Sequence, residues 1–429
     1  MSAVFESNSP LDQCIQSSYV NKSNELEAFF YGSRLHSNFQ PIYSLSHRRP
    51  IGYEGLLRAH NTLGQKVSPP DAFNSVQSIS HQIELDRLSR YLHVNNYLRQ
   101  NNGNDWLFLN VHPSVLIHGN EYGDFFSDLL NNTGIDPNKI VVEIVEDSIE
   151  DKGLLIDTVN YYREQGCLIA IDDFGTGNSN FDRVWKIEPD IVKLDKSIVG
   201  DIKGNKVVER MLPNLVSLIH ECGSLVLLEG IENEEQALVA VDSGADFVQG
   251  FYLAKPDKQL VNDVTSESLG DGGLDLSYLC SAYQSRVNQH ERNRNKLIDT
   301  YIEAFTLVSA AIQESGEFEE AIRDFLCLSG IERCYMLNRR GQQIGVNLFP
   351  DGHAELFPQR FAILEDQAKA SWYRRSYFRR AINAPGQVHL SRPYLSMTAG
   401  IVCITLSILI KSSSGKDMVL CCDIDWSDR

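Results

Sequence analysis

The sequence predicts an α/β barrel followed by a long helix and a small α+β domain. From about residue 25 to 258, short apolar runs alternate with amphipathic stretches, which is typical of parallel strands covered by helices. Successive apolar runs also end in a polar side chain, as expected where a barrel assembles one site at the carboxyl ends of its strands. After residue 284 the pattern changes to one helical segment and then to short strand-like runs.

Length and composition are those of a globular protein of two or three domains, with 429 residues, 42% hydrophobic and 22% charged. The net charge of −18 argues against a nucleic-acid partner, which would require clustered cations. No apolar run reaches the roughly 20 residues that span a bilayer, and the N-terminus lacks the apolar core of a signal peptide. The nine cysteines lack metal-type spacing, so we expect reduced thiols and a cytoplasmic protein.

Residues 1–24 are polar and aperiodic, and we expect an N-terminal arm there. The barrel is predicted for residues 25–258. Its first two strands, FQPIYSL and IGYEGLLR, are separated only by SHRRP, which is too short for a parallel crossover, so they should form an antiparallel hairpin. A segment containing Gly and Ser within residues 259–283 is expected to be a linker.

Residues 284–314 are predicted to form a connecting helix. Its apolar positions recur at spacings of three and four and form one narrow seam: Ile298, Tyr301, Phe305, Val308 and Ile312. Such a seam favours either a coiled-coil-like contact, as in a homodimer, or packing against the helix's own domain. In residues 315–429 the strand-like runs ERCYMLN, RRGQQIGVNL, CITLSILIK and DMVLCCDIDW predict a small antiparallel α+β domain.

The polar endings of the barrel strands are rich in oxygen donors. The candidate metal ligands are Glu54, Asn110, Glu143, Asp172 and Asp173. Carboxylate and amide oxygens are the ligands that Mg²⁺ and Mn²⁺ prefer, and no set of His or Cys residues favours zinc. The adjacent aspartates would repel each other unless cations lie between them, which predicts a site for two divalent cations. Capping of the next helix is the alternative for the aspartate pair taken alone.

Three further strand endings are candidates for the same site. Lys193 lies in the otherwise apolar run DIVKLD, where it could position a water or stabilise phosphoryl oxygens, and a solvated surface lysine is the alternative. Glu229 follows LVLL, and Gln249 follows ADFV. The loop FGTGNSN, which follows the two aspartates, could cradle a phosphate, although glycine-rich turns of this kind are common.

These residues also carry a family resemblance. From about residue 25 to 258 the chain resembles the EAL domain, the cyclic di-GMP-specific phosphodiesterase family. The matching segments, in order, are FQPIYSL, YEGLLR, FLNVHP, VVEIVED, IAIDDFGTGNSNF, DIVKLDKSIV, LLEGIENEEQ and FVQGFYLAKP. The resemblance implies a modified TIM barrel whose first strand is antiparallel, and hydrolysis of cyclic di-GMP to linear pGpG with Mg²⁺ or Mn²⁺.

The resemblance also implies roles for individual residues. The metal ligands would be the five oxygen donors named above. Lys193 would position the attacking water, Glu229 would assist at the metal centre, and Glu54 would serve both the metal and catalysis. The residues that contact the substrate would be Gln40, Leu56, Arg58, Gln249 and Pro256. Glu146 matches the glutamate that supports the DDFGTG loop.

Three positions depart from the family pattern. The signature tripeptide has Gly55 where the family has Ala, and this loss of a methyl group is expected to loosen the strand. Asn178 stands where a Tyr is frequent, and Asn233 stands where a Thr is common. Every matched metal ligand is retained, so an active phosphodiesterase is the favoured function. The alternative is a catalytically silent cyclic di-GMP receptor that signals to a protein partner. The sequence contains no GGDEF-like run, so a diguanylate cyclase domain is not predicted.

The C-terminal part, about residues 330–429, resembles the PAS-like/Cache sensor superfamily in WYRRSYFRRAI and SRPYLSMTAGIVCITLSILI. The resemblance implies a regulatory PAS-like domain that binds a small molecule or a protein partner, or that mediates homodimer formation. A dense basic cluster within it comprises Arg374, Arg375, Arg379 and Arg380. The cluster is either an exposed helix face or a site for an anionic ligand.

Overall fold

The chain forms two compact units, Met1–Arg286 and Val287–Arg429, in a computed structural model. The described residues are 9–76, 78–100, 105–118, 124–145, 152–175, 181–200, 206–261, 276–351, 370–396, 400–412 and 415–427. Within these ranges, no helix is both long enough and apolar enough to cross a membrane. The cysteines described there are free thiols.

The first unit contains one sheet of eleven strands within the described ranges. Their bounds are β1 Ser18–Val20, β2 Leu26–Phe30, β3 Ser33–Ser44, β4 Arg49–His60, β5 Lys66–Val67, β6 Trp106–Asn110, β7 Ile140–Val145, β8 Leu168–Phe174, β9 Ile191–Leu194, β10 Leu225–Leu228 and β11 Phe247–Val248. Eight of them close into a barrel in the order β3-β11-β10-β9-β8-β7-β6-β4, because β3 also pairs with β4. The predicted α/β barrel is therefore confirmed.

Strand β3 is antiparallel to both of its barrel neighbours, β4 and β11, whereas the other barrel pairs are parallel. The four-residue connection between β3 and β4 allows only a hairpin, as the sequence predicted. Opposite Glu54 on β4 stands Gln40 on β3. The hairpin continues beyond this pair to His60 and Arg34, so it extends past the carboxyl end of β6.

Helices cover the outside of the barrel and supply the rest of its core. Their bounds are α1 Pro10–Ser17, α2 Pro69–Asn74, α3 Ile79–Gln100, α4 Pro113–His118, α5 Phe125–Thr133, α6 Lys152–Glu164, α7 Phe181–Ile187, α8 Lys196–Gly200, α9 Lys206–Glu221 and α10 Glu234–Ser243. Glycines in left-handed conformation terminate two of them, with Gly134 at φ 68° after α5 and Gly244 at φ 79° after α10.

The second unit is built on a six-stranded antiparallel sheet in the order β13-β12-β17-β16-β14, with β15 also paired to β16. Its strands are β12 Ile331–Asn338, β13 Gln343–Leu348, β14 His389–Leu390, β15 Tyr394–Leu395, β16 Val402–Lys411 and β17 Asp417–Asp425. Its helices are α11 Leu276–Ser315, which begins before residue 287, α12 Phe318–Leu326 and α13 Ser376–Asn383. The predicted small α+β domain is confirmed.

The apolar seam of α11 packs inside the second unit. Ile298, Tyr301, Phe305 and Ile312 are buried in one cluster with α12 and with one face of the sheet, and Val308 packs against that cluster. The Tyr301 hydroxyl donates to the carbonyl of Ser329 at 2.5 Å. Of the two arrangements that the sequence allowed, packing against its own domain is the one observed for this seam.

Candidate functional site

The candidate site lies on an apolar layer that fills the barrel. Seven buried side chains, one from each of seven strands, form this layer: Ile42, Phe108, Val141, Ala170, Ile191, Leu227 and Phe247. Side chains on a strand point to the same face at every second residue. Two residues along from each of these positions, in the direction of the barrel's carboxyl rim, stand the following polar residues in the same order: Gln40, Asn110, Glu143, Asp172, Lys193, Glu229 and Gln249.

Lys193 is the centre of this set. Its ammonium Nζ lies 2.5 Å from Glu143 Oε1, 2.7 Å from Glu229 Oε1 and 2.8 Å from Asp172 Oδ1. The Lys193 side chain is only 1% exposed. Burial by itself would lower the pKa of Lys193, but Asp172, Glu143 and Glu229 outweigh it and hold that pKa well above its ordinary value. The lysine is therefore a buried ammonium paired with carboxylates and not the solvated surface residue that the sequence left open.

The carboxylates around Lys193 exceed its charge. Burial raises the pKa of Glu143 well above its ordinary value, and Lys193 offsets this only in part. Burial likewise raises the pKa of Glu229 to about 8, against the opposing effect of Lys193. Although Glu143 Oε1 touches Lys193, Glu143 Oε2 is buried and has no hydrogen-bond partner in the described part of the chain. One ammonium cannot neutralise three carboxylates, so the site has an unmet demand for positive charge.

Glu54 belongs to the same rim and is held by two amides. Asn110 Nδ2 donates to Glu54 Oε1 at 3.0 Å, and Gln249 Nε2 donates to Glu54 Oε2 at 2.8 Å. Because Asn110 uses its NH₂ group on Glu54, its amide oxygen remains available as an acceptor or a metal ligand. The three side chains come from β4, the end of β6 and the residue after β11, so the barrel closure brings them together.

Asp172 and Asp173 both reach the site because the strand backbone turns between them. Asp173 has φ 57°, in the left-handed region, and the register between β8 and β9 shifts from Ile171 to Phe174. Oxygens of Asp172, Asp173 and Glu229 all lie within 4.8 Å of one another, which is close enough for a shared metal ion. Burial and the neighbouring Asp172 raise the pKa of Asp173.

Most of the residues predicted to contact the substrate lie beside Glu54 or farther along β4. Leu56 and Arg58 follow it at two-residue steps on the β4 extension, so they share its face. Gln40 Nε2 donates to the carbonyl of Ala254 at 3.2 Å, which ties β3 to the segment that contains Pro256. Burial lowers the pKa of Arg58.

Asn38 was not singled out from the sequence. It stands opposite Leu56, and its Nδ2 donates to the carbonyl of Pro256 at 3.2 Å. Asn38 Oδ1 is buried and has no hydrogen-bond partner in the ranges that the structure describes. The only available signal was its position two residues before Gln40 on the same strand face.

His93 of α3 occupies the space beside Gly55, where the sequence led us to expect a looser strand. A Cβ at residue 55 would lie 2.9 Å from His93 Cγ, which is too close for two carbon atoms. The His93 ring is held by hydrogen bonds with Ser37 Oγ at 2.8 Å and Ser89 Oγ at 3.0 Å, and burial lowers its pKa to about 3, so it is neutral. Glycine at this position therefore accommodates a buried ring directly beneath the strand that carries Glu54.

Asn233 and Asn178 are the other two departures from the family pattern, and Glu146 is the residue predicted to support the DDFGTG loop. Asn233 is the N-cap of α10, and its Oδ1 accepts from the amide of Gln236 at 3.0 Å; Thr also makes this kind of cap. Asn178 and Glu146 lie outside the described residues.

The residues present fit divalent cations. The donors at the rim are carboxylate and amide oxygens, the preference of Mg²⁺ and Mn²⁺. A buried, unpartnered Glu143 Oε2 and the Asp172, Asp173 and Glu229 cluster are the specific observations that support this fit. The predicted ligands Glu54, Asn110 and Glu143 lie on the same rim as this cluster.

Comparison with known proteins agrees with this architecture. The chain is 24% identical over 354 residues to the uncharacterized EAL-domain containing protein YkuI of Bacillus subtilis, which covers 79% of this chain and 82% of YkuI. The crystal structure of YkuI in complex with substrate c-di-GMP and calcium has a TM-score of 0.75 and 22% identity, and the match covers 92% of this chain and 96% of that one. The likeness between the two structures shows a shared fold.

Relatives named as enzymes match about half of the chain. The cyclic di-GMP phosphodiesterase RocR of Pseudomonas aeruginosa is 29% identical over 223 residues, which are 51% of this chain and 56% of RocR. The probable cyclic di-GMP phosphodiesterase PdeI of Escherichia coli is 28% identical over 227 residues, which are 51% of this chain and 28% of PdeI. The match therefore spans little more than half of one relative and about a quarter of the other.

The EAL domain family matches residues 23–256, which is more than half of the chain. This range holds the closed barrel and the candidate site residues at its rim. The chain belongs to the EAL-domain family.

Proposed function

We propose that this protein hydrolyses cyclic di-GMP to linear pGpG in a reaction that requires divalent cations. The observation that carries the proposal is the excess of carboxylates around Lys193, within 2.8 Å, at the rim of an EAL barrel. A dinucleotide with two phosphodiesters is an anion, and an acidic site binds it only when cations supply the attraction. Relatives that share the barrel, among them RocR, are named as cyclic di-GMP phosphodiesterases.

The residues that would hold two cations, Mg²⁺ or Mn²⁺, are the five oxygen donors predicted from the sequence: Glu54, Asn110, Glu143, Asp172 and Asp173. When bound, such ions neutralise a phosphodiester and lower the pKa of a nearby water. Glu229 would assist, since its Oε1 is 2.7 Å from Lys193 Nζ and its other neighbours are Asp172 and Asp173.

Lys193 is proposed to act as a hydrogen-bond donor, because its carboxylate neighbours raise the pKa of the ammonium. A protonated Nζ can donate a hydrogen bond that orients the attacking water, or that stabilises a phosphoryl oxygen as charge develops on it. Gln40, Leu56, Arg58, Gln249 and Pro256 are proposed to hold the dinucleotide. The Arg58 guanidinium would supply a second positive charge, on the side of the site formed by the β4 extension.

The test is turnover by the purified full-length chain. Cyclic di-GMP is incubated with Mg²⁺ or Mn²⁺, and pGpG is quantified by chromatography beside a Glu54→Ala variant. We expect activity in the wild type that chelation abolishes, and no activity in the variant. Calcium should inhibit, because its looser coordination suits an in-line displacement poorly. Tight binding of cyclic di-GMP without any turnover would instead identify a silent receptor.

We also propose that the second unit regulates the barrel, within a cytoplasmic homodimer. The support is that α11, Leu276–Ser315, is one helix whose residues belong to both units. A helix of this kind can transmit a shift or a rotation. Turnover and mass in solution are compared for residues 1–260 and the full chain, with a coupling of roughly 5–150-fold expected. Equal turnover and a monomeric mass for both would contradict regulation and dimer formation.

A further inference from the structure

One face of the sheet in the second unit has an apolar half and a polar half. The apolar half lies under α13, where Leu337, Val419 and Cys421 pack with Phe378 and Ala381. Farther along the same strands the buried residues become polar: Arg333 on β12, Asp423 on β17 and Thr405 on β16. Each of these polar side chains is at most 3% exposed. A small domain has little reason to bury polar groups unless they bind something or one another.

The buried carboxylate of the polar half has its partners inside the protein. Arg333 Nε donates to Asp423 Oδ2 at 2.7 Å, and Thr405 Oγ1 donates to Asp423 Oδ1 at 2.7 Å. The Tyr394 hydroxyl lies 2.7 Å from Thr405 Oγ1 and 3.4 Å from Asp423 Oδ1. Both oxygens of Asp423 are therefore satisfied.

Two donors beside this carboxylate remain unused. Arg333 Nη1 and Trp372 Nε1 are both buried and have no hydrogen-bond partner in the described part of the chain. Leaving a buried donor unpaired costs about 1–3 kcal/mol, and more when the group is charged. An ion pair that only stabilised the fold would explain Arg333 Nε, but it would explain neither Nη1 nor the indole N–H.

Aromatic rings and a second guanidinium lie near these donors. Arg333 Cζ is 4.5 Å from the ring centroid of Tyr335 and 5.8 Å from that of Trp372. From the N-cap position of α13, Arg375 Cζ lies 5.9 Å from the Trp372 centroid and 4.9 Å from the Tyr394 centroid. Both guanidiniums therefore lie near one indole ring, and Arg333 also pairs with Asp423. Arg333, Arg375 and Asp423 together carry one positive charge in excess.

The helix terminus adds to the positive character of the cluster. The side chain of Arg375 does not cap α13, so the first amides of this helix have no side-chain acceptor there. Among the four arginines of the basic cluster in the sequence, Arg375 alone makes these ring contacts, whereas Arg374, Arg379 and Arg380 are exposed. The polar half of the sheet face is thus the place where an anion would be stabilised.

We infer that the second unit contains a binding site for a small organic carboxylate with an aromatic or aliphatic body. The carboxylate oxygens accept from Arg333 Nη1 and Trp372 Nε1, and the body of the ligand packs against the partly exposed ring of Trp372. A monoanion matches the single excess positive charge, whereas a neutral isostere would leave the arginine unpaired. This inference depends only on contacts within the second unit, and it does not require the barrel to be active.

The experiment uses the full-length chain and a matched pair of probes. Benzoate and its neutral isostere benzamide are compared by thermal unfolding and by calorimetric titration, with acetate and inorganic phosphate as further arms. We expect benzoate to raise the unfolding temperature and to bind at least about tenfold more tightly than benzamide. Equal binding of benzoate and benzamide, binding of phosphate in preference to every carboxylate, or no shift with any carboxylate would overturn the inference.

Two substitutions locate the site without removing the buried Arg333. Trp372→Phe keeps a ring and deletes the N–H donor, so it should weaken benzoate binding about tenfold. Arg375→Gln should weaken it by a smaller factor, and the adjacent exposed Arg374→Gln is the matched control. If Trp372→Phe leaves affinity unchanged, or if Arg374→Gln and Arg375→Gln have the same effect, the carboxylate does not bind on this face.

Discussion

Both units bury a basic side chain against carboxylates, and the two pairings have opposite charge balance. In the barrel, Lys193 contacts Glu143, Asp172 and Glu229, three carboxylates for one ammonium. In the second unit, Arg333 pairs with Asp423 among the residues that the structure describes, and a second guanidinium, that of Arg375, lies at a similar distance from the same indole. The first group is short of positive charge, and the second is short of negative charge.

This difference indicates which ligand each group binds. A buried ion pair contributes little by itself, because desolvation consumes most of its attraction. What is informative is the part that the described residues leave unsatisfied, namely the second oxygen of Glu143 in the barrel and Nη1 of Arg333 in the second unit. An unpaired buried acceptor in an acidic cluster favours a cation, and an unpaired buried donor in a basic one favours an anion.

The largest expected effect is on the carboxylates of the barrel. Asp172→Asn keeps the shape of the side chain and removes one negative charge that contacts Lys193. We expect turnover of cyclic di-GMP to fall by about 10³-fold or more, because a ligand for the cations is lost. The exposed Asp128→Asn on α5 is the control and should retain wild-type turnover. Full activity of the Asp172 variant would show that the excess negative charge has no catalytic purpose.

Removing the Lys193 ammonium from the centre of the same group should separate binding of cyclic di-GMP from its hydrolysis. For Lys193→Met we expect kcat to fall about 10²–10³-fold, while binding of cyclic di-GMP stays measurable. Without divalent cations the variant should also unfold at a lower temperature than wild type, since three carboxylates, two of them buried, lose their partner. Added Mg²⁺ should restore more of this loss than it adds to the wild type.

The control for Lys193→Met is Lys186→Met, which removes a lysine from an exposed pair with Asp182 on α7. Such a surface pair contributes about 0–1 kcal/mol, so little change in stability is expected. Weaker substrate binding with an unchanged kcat in Lys193→Met would contradict the role of Lys193 in the chemical step.

Gly55→Ala tests geometry at the acidic site without altering its charge. The new methyl group would lie 2.9 Å from His93 Cγ, and the hydrogen bonds to Ser37 and Ser89 restrain that ring. We expect a loss of about 1–3 kcal/mol in the free energy of unfolding, together with lower turnover because Glu54 is the adjacent residue. Chemical denaturation and kcat are measured on the same preparation.

A double-mutant cycle sharpens this experiment. His93→Asn replaces the ring with a smaller polar group, and combining it with Gly55→Ala should cost less than the sum of the two single changes. Additive effects would mean that the contact between the two positions does not determine the choice of glycine.

The sequence predicts the barrel site because the information is local. An apolar residue in the barrel and a polar residue two positions along share one strand face, so Val141 and Glu143, or Ile191 and Lys193, identify the rim without knowledge of the fold. The contact between Gly55 and His93 could not be predicted in this way, since its two residues lie on a strand and on a separate helix. The sequence pattern of α11 predicted which face of the helix is apolar, but it could not predict what packs against that face.

The carboxylate site of the second unit shows the same limit. Arg333 and Asp423 are 90 residues apart, and each is a single charge within a strand-like run. Only the antiparallel register between β12 and β17 makes them direct partners. The basic cluster was visible in the sequence, but only the start of α13 distinguishes Arg375 from its exposed neighbours.

The smallest expected effect tests whether a negative charge is unfavourable at Glu332, next to Arg333 in the second unit. Glu332 lies at the β-bulge between Ile331 and Arg333, where burial, Asp425 and Asp423 raise its pKa to about 7. Because the folded pKa exceeds the ordinary value of 4.5, the folded state favours the protonated form. The stability associated with this group is therefore complete below pH about 4.5 and is lost as the pH rises through about 7.

Glu332→Gln removes the ionisation and should stabilise the protein at pH 8 but not at pH 4.5. Since the group is only half-buried, we expect a gain of about 1 kcal/mol, or roughly 4 °C in unfolding temperature. The exposed Glu303→Gln on α11 is the control and should show no such dependence on pH. An advantage of Glu332→Gln that is the same at pH 4.5 and pH 8 would mean that ionisation of Glu332 is not its cause.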